Sequence, residues 1–278
     1  MMAQYFTFDV PATVQIVKEG DVFETGHHSY TFVMAPMVHW PEVMVTYEQS
    51  EKILFSADAF GKFGTLDTDE DWACEARRYY FNIVGKYGMP AQALLKKAAG
   101  LDIQKICALH GPILTENLEY YIGKYQLWST YTPEDEGIFI AYCSLHGNTE
   151  KAAKKLAEIL EAKGAPKVAI SDLSRDDMAE CIEDAFRYDR LVLAAPTYDG
   201  GVMPVMADFI NHLKMKAYQK RKVAFIENGS WAPMAARLMK EQMSAMKDIE
   251  IVDEHVTIRS AFKQSDVAAL EALADKLL

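Results

Sequence analysis

The sequence predicts an α/β protein whose second half is a doubly wound, five-stranded parallel sheet. From residue 137 onward, strand-like and helical patterns alternate five times. The strands are near-continuous apolar runs, as burial on both faces requires. Three of them, Ile138–Tyr142, Leu191–Ala195 and Val223–Glu227, run into loops of small, polar and aromatic residues. In an open α/β sheet such loops gather at the carboxyl ends of the strands, where ligands bind.

Residues 1 to 65 read as β. The runs Val14–Val17, Tyr30–Met34, Val43–Tyr47 and Ile53–Ser56 are separated by turn residues at Glu19–Asp21, Thr25–Gly26 and Gln49–Glu51. Residues 69–99 read as helix in two pieces, broken around Gly88–Pro90. Ile103–Leu109 reads as a strand ending in His110, Gly111 and Pro112, and 116–129 as a helix. Thr130–Glu136 is a polar linker, which divides the chain into domains 1–131 and 137–278. Strands then start near 137, 167, 189, 222 and 250, with helices over 149–163, 175–187, 204–217, 232–247 and 265–278. Asp176–Asp177 and Lys220–Lys222 read as solvated charge.

The 278 residues suffice for two domains, and the balance of 50% hydrophobic to 25% charged is ordinary for a soluble protein. A formal net charge of −11 argues against nucleic acid or an anionic membrane as partner. No apolar run reaches spanning length, and the N-terminus has no basic segment leading into an apolar one, so no signal peptide is expected. Cys74, Cys107, Cys143 and Cys181 are far apart, which suits a reducing cytoplasm and no disulfide framework.

The first loop is Ser144, Leu145, His146, Gly147, Asn148 and Thr149, with a helix starting at Glu150. A helix N-terminus offers unpaired N–H groups and a positive dipole end. Ser144, Asn148 and Thr149 add donors, and Gly147 allows close backbone approach. With no Lys or Arg it is not a Walker loop. Alone, it reads equally as an anion cradle or a capped turn. The second loop holds Pro196, Thr197, Tyr198, Asp199, Gly200 and Gly201, and the third Asn228, Gly229, Ser230 and Trp231. Together they bring flat π surface and backbone amides to one edge, as a planar isoalloxazine needs.

These three loops resemble the FMN-binding loops of flavodoxins over residues 137–278. In the first domain, His39, Asp58 and His110 each close an apolar run beside a turn residue. Such groups suit iron, zinc or manganese, or simply cap strand ends. Taken with the second half, the chain resembles the flavodiiron proteins (A-type flavoproteins), which reduce dioxygen to water or nitric oxide to nitrous oxide.

The resemblance implies a metallo-β-lactamase-like αββα sandwich joined to a flavodoxin-like domain. It implies FMN as cofactor and iron ligands at His39 and His110, with Asp58 as the bridging carboxylate. It also implies a head-to-tail homodimer and an electron donor that is rubredoxin-like or an NAD(P)H-linked reductase. The family's His-x-Glu-x-Asp-His motif is absent here, and His27 and His28 lack the spaced acids. The expectation is therefore an N-terminally truncated relative holding the second half of the sandwich. It would transfer electrons through FMN and have only an incomplete iron site of its own. The alternative is a non-catalytic assembly subunit that completes a split lactamase-like domain with a partner chain. A zinc hydrolase would need the missing motif.

Overall fold

The computed structural model describes residues 2–5, 14–67 and 71–278. The β reading of residues 6–13 and the helical reading of 69 and 70 lie outside the described residues. The chain forms two compact units, one ending at Thr130 and one running from Tyr131 to Leu278.

In the first unit a short helix α1 (Met2–Tyr5) precedes a five-stranded sheet of β1 (Val22–Glu24), β2 (Ser29–Met34), β3 (Met44–Glu48), β4 (Ile53–Phe55) and β5 (Lys105–Cys107), in that order. β1 to β4 are antiparallel neighbours, and β5 joins β4 in parallel after a helical crossover. The crossover holds α2 (Trp72–Tyr79), a π-helical turn over Tyr80–Val84, and α3 (Gly88–Ala98). α4 (Leu118–Ser129) closes the unit.

Registers place Val33 opposite Val45, and Tyr47 opposite Leu54, which in turn faces Ile106. These five are buried. Leu54 and Ile106 share the wall of a cavity of about 260 Å³ with Leu95 and Ala98 of α3 and Leu118 and Ile122 of α4. That face is thus covered by helices. The other face carries Phe23 opposite Tyr30, Phe32 opposite Thr46, Met34 opposite Met44, and Phe55 opposite Cys107. None of these is buried, and Phe55 and Phe23 are 43% and 41% exposed.

Three expectations change here. Val14–Val17 is not a strand, and β1 forms instead from Val22–Glu24 between the two turns. The helical break falls at Gly85–Tyr87. Pro90 lies inside the first turn of α3, where its missing N–H is harmless. The run Ile103–Leu109 pairs only over Lys105–Cys107.

The second unit is the doubly wound sheet. β6 (Asp135–Tyr142), α5 (Asn148–Ala162), β7 (Val168–Asp172), α6 (Met178–Arg187), β8 (Tyr188–Tyr198), β9 (Gly201–Val202), α7 (Pro204–Met215), β10 (Arg221–Asn228), α8 (Ala235–Ser244), β11 (Ile249–Ile251), β12 (Val256–Ile258) and α9 (Val267–Leu277) follow in order. The sheet runs β11-β10-β8-β6-β7, and every pair along that path is parallel. The expected fifth strand is two short pieces, β11 and β12, both paired to β10. β9 folds back on β8 as a two-residue hairpin arm that the pattern did not reveal.

β6 begins inside the expected linker, at Asp135, which faces Tyr188 before a register shift leads to Ile138. Arg187 Nε donates to Asp135 Oδ2 at 2.6 Å and fixes that start. Arg221 is not solvated surface. It is 2% exposed, and its guanidinium donates to the carbonyls of Tyr188, Tyr131, Gln219 and Phe186. Asp177 caps α6 by accepting from the N–H groups of Ala179 and Glu180. Among the described residues no helix is long and apolar enough to cross a membrane.

Candidate functional site

β6, β8 and β10 are parallel and in register, so they stop at the same edge of the sheet. Their three loops enclose a cavity of about 590 Å³, within the range of small-molecule and cofactor sites. Of the residues expected there, Ser144, Leu145, His146, Asn148, Thr149, Pro196, Thr197, Asp199, Gly200, Asn228, Gly229, Ser230 and Trp231 line it. Gly147, Tyr198 and Gly201 do not. Gly147 is the N-cap of α5 with φ 75°, a conformation glycine adopts without strain. Tyr198 faces Gly201 across the β8–β9 hairpin and is 44% exposed.

The first loop is built to receive an anion. Gly147 has no side chain to cap α5, so the first N–H groups of that helix keep no acceptor from a cap. Ser144 Oγ is buried and has no hydrogen-bond partner. A buried hydroxyl without a partner is uncommon, and here a ligand oxygen would satisfy it. The lining residues include no Lys or Arg.

The opposite wall is tied down. Thr197 Oγ1 accepts from the N–H groups of Met234 and Ala235 at 2.8 and 3.1 Å, capping α8 from the second loop. Glu227, 4% exposed, accepts from Ala236 N–H at 3.0 Å and from Thr257 Oγ1 at 2.8 Å. Trp231 stands 91% exposed at the rim.

In the first unit, His39, Asp58 and His110 do come together. His39 Nε2 lies 3.1 Å from Asp58 Oδ2, and His110 Nε2 lies 3.6 Å from Asp58 Oδ1. One carboxylate thus presents an oxygen to each imidazole. His110 Nδ1 is 3.0 Å from the carbonyl of Lys62. A carbonyl only accepts, so Nδ1 is the donor in that contact, and Nε2 is the nitrogen turned toward Asp58. Tyr79 packs edge-on against both rings, 4.6 Å from His110 and 6.4 Å from His39. Burial, with the Asp58 charge beside it, pushes its phenol well above the usual tyrosine range. The three groups suit iron or zinc as nitrogen and carboxylate ligands.

Two family profiles match the chain: one described as an ODP family beta lactamase over residues 1–111, and one described as a Flavodoxin domain over 139–256. A nitric oxide reductase of Moorella thermoacetica is 30% identical over 268 residues, covering 91% of this chain and 65% of that protein. The rubredoxin oxygen:oxidoreductase of Desulfovibrio gigas superposes with a TM-score of 0.88 at 23% identity, over 99% of this chain and 70% of that one. The flavodiiron protein of Giardia intestinalis does so with a TM-score of 0.86 at 19% identity, over 95% and 66%. The chain is thus similar to flavodiiron proteins over nearly its whole length. It spans about half to two thirds of the length of the curated relatives it matches.

Several site residues escaped the sequence reading. Ala232, Met234, Ser260 and Ala261 complete the cavity wall. Ser260 and Ala261 follow β12, a three-residue strand too short to announce a loop. Its alternation of Val256 and Ile258, both buried, was the available signal. Tyr79 was hidden among the other aromatics of α2 and the π turn.

Proposed function

We propose that this chain is an FMN-binding electron-transfer protein of flavodiiron type, with domains over 1–131 and 137–278. The observation that carries the reading is the buried, unpartnered Ser144 hydroxyl at the uncapped start of α5. It fits a phosphate monoester, held by Ser144, Thr149 and backbone N–H groups around Gly147. The second and third loops, with Trp231 at the rim, would take the planar ring. FMN, when bound, supplies the uptake of electrons from a donor and their release to an acceptor. The chain's own part is to orient the ring and to keep its surroundings fixed.

His39, Asp58 and His110 would serve a metal centre to which these residues contribute three ligands. Iron there would supply the centre at which oxygen or nitric oxide is reduced. A complete diiron site needs further donors from another chain or segment. A rubredoxin-like protein or an NAD(P)H-linked reductase would be the electron donor, in a cytoplasmic homodimer. The deciding experiment is titration of the apoprotein with FMN. Stoichiometric binding, with a yellow product, is expected, and a colourless protein that takes up no FMN would overturn the reading.

A second reading is favoured by the sheet face of Phe23, Phe32, Phe55, Met34 and Met44, where Phe23 and Phe55 are exposed and the other three half-buried among the described residues. Apolar faces of this kind mark sites of association. On this reading the chain is an assembly subunit whose lactamase-like sheet is completed by the sheet of a partner chain. A colourless protein whose partner buries Phe55 would support it.

A further inference from the structure

We infer that a fourth loop, Arg259–Phe262, belongs to the binding site, and that Ser260 sets the spacing between the first and third loops. The inference rests on the FMN reading and adds a positioning residue to it.

Three contacts converge on this short segment. The Ser260 carbonyl accepts from Asn228 Nδ2 at 3.0 Å, and Ser260 Oγ lies 2.6 Å from Ser230 Oγ. The N–H of Phe262 donates to Asn148 Oδ1 at 3.2 Å. Asn228 and Ser230 belong to the third loop and Asn148 to the first, so the fourth loop grips both. Ser260 and Ala261 also line the cavity.

The backbone of Ser260 has φ 63°, in the left-handed region that residues with a β-carbon seldom occupy. Held there, Ser260 contacts the third loop with both its carbonyl and its hydroxyl. Asn148 meanwhile commits its oxygen to Phe262 and turns its nitrogen to the His146 carbonyl at 3.4 Å. Its amide therefore locks loop to loop before it can serve an anion.

A ligand that spans both loops, with a phosphate at one end and a planar ring at the other, needs them at one fixed separation. A ligand gripped at one end only does not. Pre-setting that separation lowers the ordering cost of binding. The bracket should therefore favour FMN over riboflavin, which has the ring but no phosphate.

The test is titration of the apoproteins with FMN and with riboflavin, read by flavin fluorescence, beside thermal melts without flavin. Ser260→Gly removes the hydroxyl and relieves the backbone. We expect it to bind FMN about 2- to 10-fold more weakly, as loss of one solvent-exposed hydroxyl–hydroxyl hydrogen bond implies. Riboflavin affinity should change less, and the apoprotein should melt no lower than wild type. Ser230→Ala, which breaks the same contact from the other side, should give a similar loss, and the double variant no more than either single one. Wild-type FMN affinity in Ser260→Gly overturns the bracket, as do equal losses for both flavins with a lowered melting temperature. A wild-type protein that binds no FMN removes the cofactor reading itself, and the bracket with it.

Discussion

Gly61 leaves the room that His110 occupies: a β-carbon on Gly61 would lie 2.5 Å from His110 Cε1 and 2.8 Å from its carbonyl oxygen. Two loops distant in sequence are thereby pressed together, and the imidazole is set against Asp58. Gly61→Ala is expected to cost about 1–3 kcal/mol as an overpacked contact. It should also weaken cobalt(II) binding at the histidines. Urea melts and cobalt absorbance check the two effects, and an equally stable variant with unchanged cobalt binding would show that the loops can slide apart.

Ser144→Ala should separate binding from folding. FMN affinity is expected to fall by about 1–2 kcal/mol, roughly 5- to 30-fold. The apoprotein should be no less stable, because the hydroxyl that is lost has no partner in it. Fluorescence titration beside a thermal melt reads both. A drop in apoprotein stability of the same size would mean that the hydroxyl serves the fold instead.

Metal content follows from the ligand count. With His39, Asp58 and His110 as its own donors, the chain is expected to hold fewer than two irons and to turn over neither oxygen nor nitric oxide rapidly by itself. Elemental analysis of protein purified without chelator, with gas-consumption assays, decides this. Two irons per chain with rapid turnover would mean that a second copy or a partner completes the centre.

Acid should loosen the β3–β4 turn in a definite window. Desolvation would raise the Glu48 carboxyl, but the N–H groups of Glu51 and Ser50 outweigh it and hold the group at about 2 instead of the usual 4.5. A depressed carboxylate stabilises the fold fully above its unfolded value, and the contribution is lost as pH falls through the folded one. The melting-temperature gap between wild type and Glu48→Gln should be constant above about pH 5 and close as pH falls toward about 2. A gap that stays constant to the lowest pH would refute the assignment.

Arg221→Met tests the buried guanidinium. Removing it leaves the carbonyls of Tyr188, Gln219 and Phe186 without their donor, and about 3–5 kcal/mol should be lost in denaturant unfolding. FMN affinity of the folded fraction should not change, since Arg221 opens β10 and the cavity lies beyond the strand's other end.

Much of this was legible in the sequence for a simple reason. Parallel strands buried on both faces write themselves as apolar runs, and Ile138–Tyr142, Leu191–Ala195 and Val223–Ile226 are all buried. The loops that follow such strands are then placed by topology alone. Arg221 was misread because its neighbours Lys220 and Lys222 look like surface charge, and nothing local announces that five carbonyls converge on it. Ser260 was missed because its strand is broken, and an aromatic among glycines, as Tyr198 is, does not announce which way its ring turns. The three metal-type residues are 19 and 52 positions apart along the chain. Their convergence on Asp58 depends on β4 and β5 lying side by side, which no local pattern states.

The interruption of the outermost strand has a consequence for how this protein behaves when crowded. A long, unbroken strand at the rim of a sheet is a template on which other chains can polymerise. Here the rim is cut into β11 and β12, and the gap holds Asp253, Glu254 and His255, all exposed. An incoming strand would meet two short, separated stretches with charge between them. The same break that hid Ser260 thus guards this edge against fibrous aggregation.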